Sequence, residues 1–513
     1  MRDSIDSRLD ALSSWHADWS GLRVAVLGLG VTGFAAADTL AELGAQVLVV
    51  AGSADDDRAR ILEVIGVGLA LQDAPEQIPD ALAQHDPELV IVSPGFTPDH
   101  PLLHWAQQRG TPIWGDIELA WRVRDKVAAA EWITVTGTNG KTTTTQLAEH
   151  MLLTAGVRAM AVGNIGVPVL DAVRLPEGLD VLVVELSSFQ LHWLPETGPG
   201  ALRPLASVCL NIADDHLDWH GSREAYLAAK GRVYANTRIA CVYNLHDRAT
   251  RTLVEEADVQ EGCRAIGFGL GAPGPSDFGI VDGLLIDRAF LEERADSALE
   301  VADLEDLAVA GLHGPHLAAD VLAAAALARA AGVEPRSIRD AVRSFRLDAH
   351  RTQRIAVSAG ITWVDDSKAT NPHAAAASLV SFRSVVWIAG GLLKGVDVSA
   401  LVAENAQRLR AVVLIGADRA ELVAVFARHA PGVPLFEVLA TDTEQVMPEA
   451  VRLAATVARE GDTVLLAPAA ASFDQFTGYD DRGRRFAAAV AQQLGGAADV
   501  DPETPGDPET PAG

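Results

Sequence analysis

The sequence contains one stretch whose residue types and spacing suit phosphate chemistry, Trp132–Thr145, which reads WITVTGTNGKTTTT. Its β-branched residues 133–136 predict a buried strand, the turn Gly137-Thr-Asn-Gly140 follows, and a helix is predicted from Lys141. A strand, a glycine turn and a helix N-terminus form an anion site, because backbone N–H groups and the helix dipole converge there. Lys141 would contact terminal phosphates, and the hydroxyl of Thr142 could bind Mg²⁺. Two residues instead of four separate the glycines, so the stretch is a shortened form of the usual phosphate loop.

Two segments with metal-binding residue types follow other predicted strands. Glu185 comes directly after the apolar run VLVV at 181–184. The segment Asn211–His220, NIADDHLDWH, follows the predicted strand 206–210 and includes His216. In a parallel sheet the functional groups gather where the strands end, which would place both segments beside the phosphate loop. Glu185 and His216 are therefore predicted Mg²⁺ ligands, although each taken alone also fits a cap or a turn.

A second glycine motif lies near the N-terminus. The predicted strand 23–28 leads into Gly28-Leu-Gly-Val-Thr-Gly33, and a helical run and the strand Gln46–Val50 follow. A dinucleotide site would need an acidic residue after that strand to hold ribose hydroxyls, but Ala51 and Gly52 stand there. The motif therefore predicts a diphosphate site and gives no support for NAD, with a purely structural turn as the alternative.

Composition narrows the class of protein. With 513 residues the chain is too long for one core, and about three domains are expected. The formal net charge of −28 argues against nucleic acid or an anionic membrane as a partner. The three cysteines, Cys209, Cys241 and Cys263, are far apart in sequence, which fits a reducing compartment and no disulfide framework. The N-terminus lacks an apolar core and no apolar run is long enough for a bilayer, so a cytoplasmic protein is expected.

Predicted strands and helices alternate along the chain, which indicates an α/β protein with mainly parallel sheets. Within the second domain, Glu305–Ala310 is predicted as a short strand. The last residues repeat a short Pro/Glu/Thr/Gly unit and predict a disordered tail. The predicted domains are residues 1–126, 127–346 and 347–495, followed by the tail at 496–513.

The chain resembles the Mur ligases from about Gly21 to Leu494. The phosphate loop GTNGKTT is similar to the loop of this whole ATP-dependent family. The segments GNIG at 163–166 and ELSSFQL at 185–191 restrict the resemblance to fewer members of that family. The segments DDSKATNP at 365–372 and ASFDQF at 471–476 are similar to motifs of the branch that adds D-glutamate.

The resemblance implies three α/β domains: a Rossmann-like N-terminal domain for the UDP substrate, a central P-loop-type ATPase domain, and a Rossmann-like C-terminal domain for D-glutamate and closure on ATP. It implies ATP-dependent ligation of D-glutamate to UDP-N-acetylmuramoyl-L-alanine through an acyl phosphate, with ADP and phosphate as products, in cytoplasmic peptidoglycan precursor synthesis. The implied cofactors are ATP and two Mg²⁺ ions. A monomer is expected, with no nucleic acid partner and no membrane insertion.

The resemblance also implies roles for residues that match the family's motifs. Residues implied to bind ATP are Gly137, Thr138, Asn139, Gly140, Lys141, Thr142, Thr143, Arg351, Asp366 and Lys368. Those implied for the UDP substrate are Gly30, Val31, Thr32, Gly33, Ser93, Gly95 and Asn164. Those implied for D-glutamate are Thr370, Lys394, Ser472 and Phe473. The implied metal ligands are Thr142, Glu185, His216 and a carbamylated Lys230, and the implied catalytic group is Lys141, Glu185, His216 and Lys230.

Three places depart from the family's pattern: Ala51 at the uracil contact, His316–Asp320 at the adenine contact, and Leu392 close to Lys394. Other functions fit parts of the sequence. A folylpolyglutamate synthase would share the ATP chemistry but has different C-terminal motifs. A nicotinamide dehydrogenase would use GLGVTG and leave GTNGKTT without a role, and a non-enzymatic nucleotide-binding regulator would need no amino-acid loop.

Overall fold

The computed structural model describes residues 2–72, 74, 77–347, 349–393, 396–417 and 419–495, with side chains from residue 7 onward. The tail predicted at 496–513 lies outside these residues. The chain divides into two compact units, one of residues 1–310 with 317–345 and one of residues 311–316 with the chain from 346 onward. The first unit contains two sheets and the second contains one.

The N-terminal part of the first unit has the elements α1 (Arg2–Ala11), β1 (Arg23–Leu27), α2 (Val31–Glu42), β2 (Gln46–Ala51), α3 (Asp56–Val64), β3 (Gly68–Leu71), α4 (Asp80–His85), β4 (Leu89–Val92), α5 (Pro101–Arg109), β5 (Ile113–Gly115) and α6 (Asp116–Arg122). The strands form a parallel sheet in the order β3-β2-β1-β4-β5. The strand order reverses between β1 and β4, and the ends of such strands commonly form a ligand crevice.

The central part has the elements β6 (Glu131–Thr136), α7 (Lys141–Thr154), β7 (Ala159–Gly163), α8 (Val169–Ala172), β8 (Val181–Glu185), α9 (Ser188–His192), β9 (Ala206–Cys209), α10 (Leu217–His220), α11 (Arg223–Gly231), β10 (Ala240–Asn244), α12 (Arg248–Glu255), β11 (Arg264–Phe268), β12 (Asp277–Val281), β13 (Leu284–Asp287), β14 (Leu299–Asp303), α13 (Leu304–Val309), α14 (Pro315–Ala330) and α15 (Pro335–Ser344). The sheet order is β14-β13-β12-β11-β10-β9-β6-β8-β7. All neighbouring pairs among β6 to β12 in this order are parallel. The sheet continues from β12 through β13 to β14, and these last two pairs are antiparallel.

The prediction of a strand at Glu305–Ala310 is wrong, because these residues belong mostly to helix α13. The cause is a capping box at the start of the helix. The carboxylate of Asp303 accepts from the Asp306 N–H at 2.8 Å, and the carboxylate of Asp306 accepts from the Asp303 N–H at 3.1 Å. Two backbone donors at a helix start are satisfied in this way, which favours a helix over a strand.

The second unit has the elements β15 (Gln353–Ser358), β16 (Ile361–Asp365), α16 (Pro372–Val380), β17 (Val385–Gly390), α17 (Ser399–Asn405), β18 (Leu409–Ile415), α18 (Ala420–His429), β19 (Leu435–Glu437), α19 (Thr443–Val457), β20 (Thr463–Leu466) and α20 (Tyr479–Leu494). The sheet order is β15-β16-β20-β17-β18-β19, with β15 antiparallel and the other pairs parallel. The prediction of an α/β protein with mainly parallel sheets is confirmed.

Two further expectations concern thiols and membranes. Cys241 and Cys263 are far apart in sequence, but their Sγ atoms lie 3.7 Å apart, and all three cysteines are free thiols. Across the described ranges, no helix is long and apolar enough to cross a bilayer.

Candidate functional site

The phosphate loop lies where the sequence predicts it, between the end of β6 and the start of α7. Gly140 caps α7 with φ +82°, a left-handed conformation that favours glycine, and a Cβ there would lie 2.3 Å from the Asp320 carboxylate. The cap residue has no side chain to satisfy the first N–H groups of α7. These donors and the dipole of a 14-residue helix form an anion-binding N-terminus.

The phosphate loop is held in place by the loop after β9. The N–H of Thr138 donates to Asn211 O at 2.9 Å, and the N–H of Asn139 donates to Asn211 Oδ1 at 2.8 Å. The Thr138 hydroxyl lies 2.9 Å from the Tyr226 hydroxyl of α11 and accepts from the Ala213 N–H. The loop after β9 and helix α11 therefore both hold the phosphate loop in its shape.

Lys141, Thr142 and Glu185 lie at one end of the central sheet, as predicted. The Lys141 ammonium donates to the carbonyls of Gly137 and Thr138 at 3.0 and 2.9 Å, so it lies folded over its own loop. The Thr142 hydroxyl donates to Glu185 Oε2 at 2.8 Å. A hydroxyl at the start of α7 and a buried carboxylate at the end of β8 are thus next to each other.

Asn164 follows β7 and orients the same carboxylate. Its side-chain amide donates to Glu185 Oε1 at 3.0 Å, and its backbone N–H donates to Glu185 O. Both oxygens of Glu185 therefore have donors, one from Thr142 and one from Asn164. The carboxylate is fixed in direction, which is a requirement for binding a metal ion in a defined geometry.

Lys230 lies in α11 and is 2% exposed, close to the phosphate loop. Its ammonium donates to Gly137 O at 2.9 Å and to the Thr136 hydroxyl at 3.3 Å, and it lies over the Tyr226 ring. Burial, together with the nearby charge of Lys141, lowers the pKa of Lys230 to about 7, although Asp215 and Glu185 oppose the shift. Lys230 is therefore a buried residue of the site and not a solvated surface charge.

His216 lies at the start of α10, with φ +53° and an exposed side chain. Its Nε2 is 3.5 Å from the carboxylate of Asp215, and its ring meets Phe189 with centroids 4.6 Å apart. Desolvation lowers the pKa of His216, and Asp215 opposes the shift, so a neutral imidazole is favoured. A neutral ring nitrogen is the form that binds metals.

The sequence did not indicate an aromatic and histidine cluster beside His216. Trp219 and His220 of α10 pack with Phe189 and His192 of α9, and His220 contacts the Tyr226 ring. The His220 Nε2 lies 3.0 Å from the Ser188 hydroxyl, and burial lowers the pKa of His220 to about 4. Ser188 and Phe189 belong to ELSSFQL, and Trp219 and His220 belong to NIADDHLDWH, but the contact between these segments depends on the return of the chain through β9.

Among the described residues, no group of three or more His, Cys, Asp or Glu side chains is arranged to hold a metal ion. Of the four predicted ligands, Glu185 and His216 are of these four residue types. Thr142 and Lys230 are not, so such a group could not include them. The oxygens that do converge are the Thr142 hydroxyl and the Glu185 carboxylate, and hard oxygen ligands suit Mg²⁺.

The N-terminal glycine loop runs from the end of β1 into α2, and Ser93 at the end of β4 lies over it. A Cβ on Gly33 would lie 2.1 Å from Gly28 O and 3.0 Å from Ser93 Oγ. The Ser93 hydroxyl is buried and has no hydrogen-bond partner within the described chain. The guanidinium of Arg58, which sequence reasoning missed, donates to Leu29 O at 2.9 Å. An unused hydroxyl and a cation beside a helix N-terminus fit a diphosphate.

We expect Gly33→Ala to lower the thermal unfolding midpoint, because the new methyl group would overlap Gly28 O. Gly30→Ala is the matched control, since a Cβ there meets no atom within 4 Å. Differential scanning fluorimetry of the two variants measures the difference. Equal midpoints would contradict the close approach of the loop to its helix.

The second unit brings together the residues implied to bind ATP from the C-terminal side. Asp366 accepts from the Thr352 N–H at 3.0 Å and from the Ser378 hydroxyl. Burial raises the pKa of Asp366 to about 6, and nearby Arg351 opposes the shift. The Arg351 Nε is buried without a hydrogen-bond partner in the described part of the chain. Lys368 lies over the Tyr479 ring, with Nζ 4.9 Å from its centroid.

Three of the residues implied to bind D-glutamate, Thr370, Ser472 and Phe473, lie in two loops of the same unit. Thr370 follows β16, and its N–H donates to Lys368 O at 2.8 Å. Ser472 is buried, whereas the adjacent Phe473 is 69% exposed. Lys394 lies outside the described residues. An exposed aromatic ring beside a buried hydroxyl is available to cover a ligand.

Comparisons with known proteins give a consistent result. The family model described as Mur ligase middle domain matches residues 135–328, and the one described as Mur ligase, glutamate ligase domain matches residues 350–470. The chain is similar to the UDP-N-acetylmuramoylalanine–D-glutamate ligase of Leifsonia xyli subsp. xyli (strain CTCB07), with 63% identity over 96% of this chain and 97% of that protein. The protein of the same name from Streptomyces avermitilis is 54% identical over 92% of this chain and 98% of that protein.

Solved structures share the fold at low sequence identity. The UDP-N-acetylmuramate-alanine ligase from Thermotoga maritima matches with a TM-score of 0.54 and 20% identity, over 92% of this chain and 99% of that chain. The MurF ligase from Thermotoga maritima in complex with ADP matches with a TM-score of 0.53 and 17% identity, over 93% of this chain and 96% of that chain. These likenesses support the three-domain α/β architecture.

Proposed function

The chain belongs to the Mur ligase family, and on that premise we propose that it joins D-glutamate to UDP-N-acetylmuramoyl-L-alanine while ATP is converted to ADP and phosphate. The observation that carries the proposal is the convergence of Lys141, Thr142, Glu185, Asn164 and Lys230 at one end of the central sheet. That arrangement combines a phosphate loop with oriented metal-ligand oxygens.

The first step transfers the γ-phosphoryl group of ATP to the alanyl carboxylate, which gives an acyl phosphate and ADP. Both reactants are anions, so the protein must neutralise charge and hold the reacting atoms in line. The N–H groups at the start of α7 would bind phosphate oxygens. The Lys141 ammonium, now hydrogen-bonded to two carbonyls of its own loop, would turn onto the transferring group.

The residues present fit Mg²⁺, because the Thr142 hydroxyl and the Glu185 carboxylate offer adjacent oxygens and Asn164 fixes the carboxylate. Mg²⁺ would supply charge neutralisation between the phosphates and the substrate carboxylate. We propose Thr142 for one ion and Glu185, His216 and Lys230 for the second.

Lys230 fits this role in its carbamylated form. An amine must be neutral to add CO₂, a step that forms the N–C bond and releases one proton. The pKa of Lys230, lowered to about 7 by burial, leaves a large neutral fraction at physiological pH. Carbamylation would replace a buried cation by an anion with two oxygens, the ligand type that Mg²⁺ prefers.

The second step is attack of the D-glutamate amine on the acyl phosphate carbon, followed by loss of phosphate from the tetrahedral intermediate. We propose that Thr370, Lys394, Ser472 and Phe473 bind D-glutamate and that Arg351, Asp366 and Lys368 contact ATP. Support for the ATP set comes from the closeness of Arg351 to Asp366. Support for the D-glutamate set comes from the hydrogen bond of the Ala469 N–H to Ala369 O, which joins the loop of Thr370 to the loop of Ser472.

The uridine diphosphate would lie on the glycine loop that includes Gly30, Val31, Thr32 and Gly33, with Ser93 and Gly95 at the end of β4. The unpartnered Ser93 hydroxyl and the Arg58 guanidinium support this assignment. The proposal includes action as a monomer in the cytoplasm. The three free thiols fit the reducing conditions of that compartment.

Substrate replacement tests the proposal against a folylpolyglutamate synthase and a dehydrogenase. We expect ATP-dependent consumption of UDP-N-acetylmuramoyl-L-alanine, no reaction with dihydropteroate or folate, and no displacement of the UDP substrate by NAD. Turnover of a folate, or NAD binding that competes with the UDP substrate, would overturn it.

A further inference from the structure

The first turn of helix α20 contains an arginine, Arg482, that is buried between two loops of the second unit. Arg482 is 0% exposed. Its Nε donates to the Ser367 hydroxyl at 3.0 Å, one terminal nitrogen donates to Ser367 O at 2.8 Å, and the other donates to Ala470 O at 3.2 Å. One guanidinium therefore links the loop of residues 366–371 to the loop of residues 468–476.

Stability alone does not account for this burial. A buried cation loses its hydration, and Arg482 has carbonyl and hydroxyl partners but no carboxylate hydrogen-bonded to it in the described part of the chain. Burial lowers the pKa of Arg482 to about 10, and the charges of Asp474 and Asp365 oppose the shift, so the group stays charged at neutral pH. The planar fork of donors lets arginine fix several acceptors at once in a set geometry.

The two linked loops carry different ligand residues. The first loop holds Thr370 and the second holds Ser472 and Phe473, so the amino-acid site proposed above needs both loops at a fixed separation. Of the residues proposed for ATP, Asp366 has its own anchors in the Thr352 N–H and the Ser378 hydroxyl, and Lys368, which follows Ser367, also packs on the Tyr479 ring. Loss of Arg482 would therefore disturb the amino-acid site more than the ATP site.

We propose that Arg482 is a positioning residue of the amino-acid site: together with the hydrogen bond from the Ala469 N–H to Ala369 O at 2.9 Å, it fixes the spacing of the two loops and so sets the affinity for the dicarboxylic amino-acid substrate. This inference rests on the proposed function. Arg482 contacts the loops and need not contact the substrate.

The test compares Arg482→Met and Arg482→Lys with Arg484→Met in the full-length protein. Arg484 lies on the same helix, is 62% exposed and pairs with Asp480, so it controls for the loss of one arginine from α20. For Arg482→Met we expect the KM for D-glutamate to rise about tenfold or more, while the KM values for ATP and the UDP substrate change by less than about threefold. Arg482→Lys keeps the charge with fewer donors, so an intermediate KM for D-glutamate is expected. Arg484→Met is expected to match the parent protein.

Thermal unfolding of every variant is measured to show whether the variant is folded. If Arg482→Met does not fold, Ser367→Ala replaces it, because that change removes one acceptor of the same guanidinium and is expected to raise the D-glutamate KM by a smaller factor. An unchanged D-glutamate KM in a folded variant, or an equal rise in all three KM values, would overturn the inference. The parent protein distinguishes a failure of this inference from a failure of the proposed function. If the parent releases no phosphate in response to D-glutamate, the proposed function is contradicted and not the role of Arg482.

Discussion

Lys141→Ala is expected to lower the ligation rate on the order of 10³-fold or more, because it removes the cation that would neutralise the transferring phosphoryl group. The ammonium now contacts carbonyls of its own loop and supports no distant element, so the fold should persist. Phosphate release and product formation measure the loss, and thermal unfolding measures the fold.

Lys126→Ala is the matched control for this variant. Lys126 pairs with Glu42, and its side chain is 25% exposed. It has no part in the phosphate loop, so the Lys126→Ala variant should be as active as the parent. Near-normal turnover by a folded Lys141→Ala variant would exclude the assignment of the phosphate loop.

Lys230→Ala is expected to lose most activity, and acetate or bicarbonate should restore part of it by supplying oxygens at the vacated position. Lys230→Arg should remain inactive, because guanidinium keeps the positive charge and does not form a carbamate. The folded pKa of Lys230 is lowered to about 7, so the neutral amine predominates above that pH and protonation removes it below. Activity of the parent should therefore fall as the pH drops through about 7.

The carbamate has a direct spectroscopic test. With ¹³C-labelled bicarbonate, the parent should show a protein-bound carbamate signal that Lys230→Arg lacks. Activity of Lys230→Arg equal to that of the parent would show that Lys230 is not a ligand.

Much of the site could be predicted because local signals determine it. The run at 133–136, the glycine turn and the threonines after Lys141 specify a strand, a turn and a helix within one short stretch. Glu185 could be placed because it ends an apolar strand, and parallel strands end at one edge. In each case the chain neighbours of a residue determine its surroundings.

Other features depend on contacts between distant segments. The burial of Lys230 requires α11 to pack beside the phosphate loop, and its sequence neighbours gave no sign of that. The link from Arg482 to Ser367 spans 115 residues, and the contact of Arg58 with Leu29 joins separate elements. The antiparallel strands β13 and β14 were not predicted, because their short segments carry no strong alternation and their pairing decides their structure.

The central claim is that the protein adds D-glutamate to a UDP-linked muramoyl alanine. The most direct measurement is phosphate release with ATP and UDP-N-acetylmuramoyl-L-alanine against a panel of D-glutamate, L-glutamate, L-alanine, glycine, L-lysine and meso-diaminopimelate, with mass spectrometry of the product. The account predicts release and a ligated product with D-glutamate, and near-background release with the others. Ligation of another amino acid in preference to D-glutamate would contradict it.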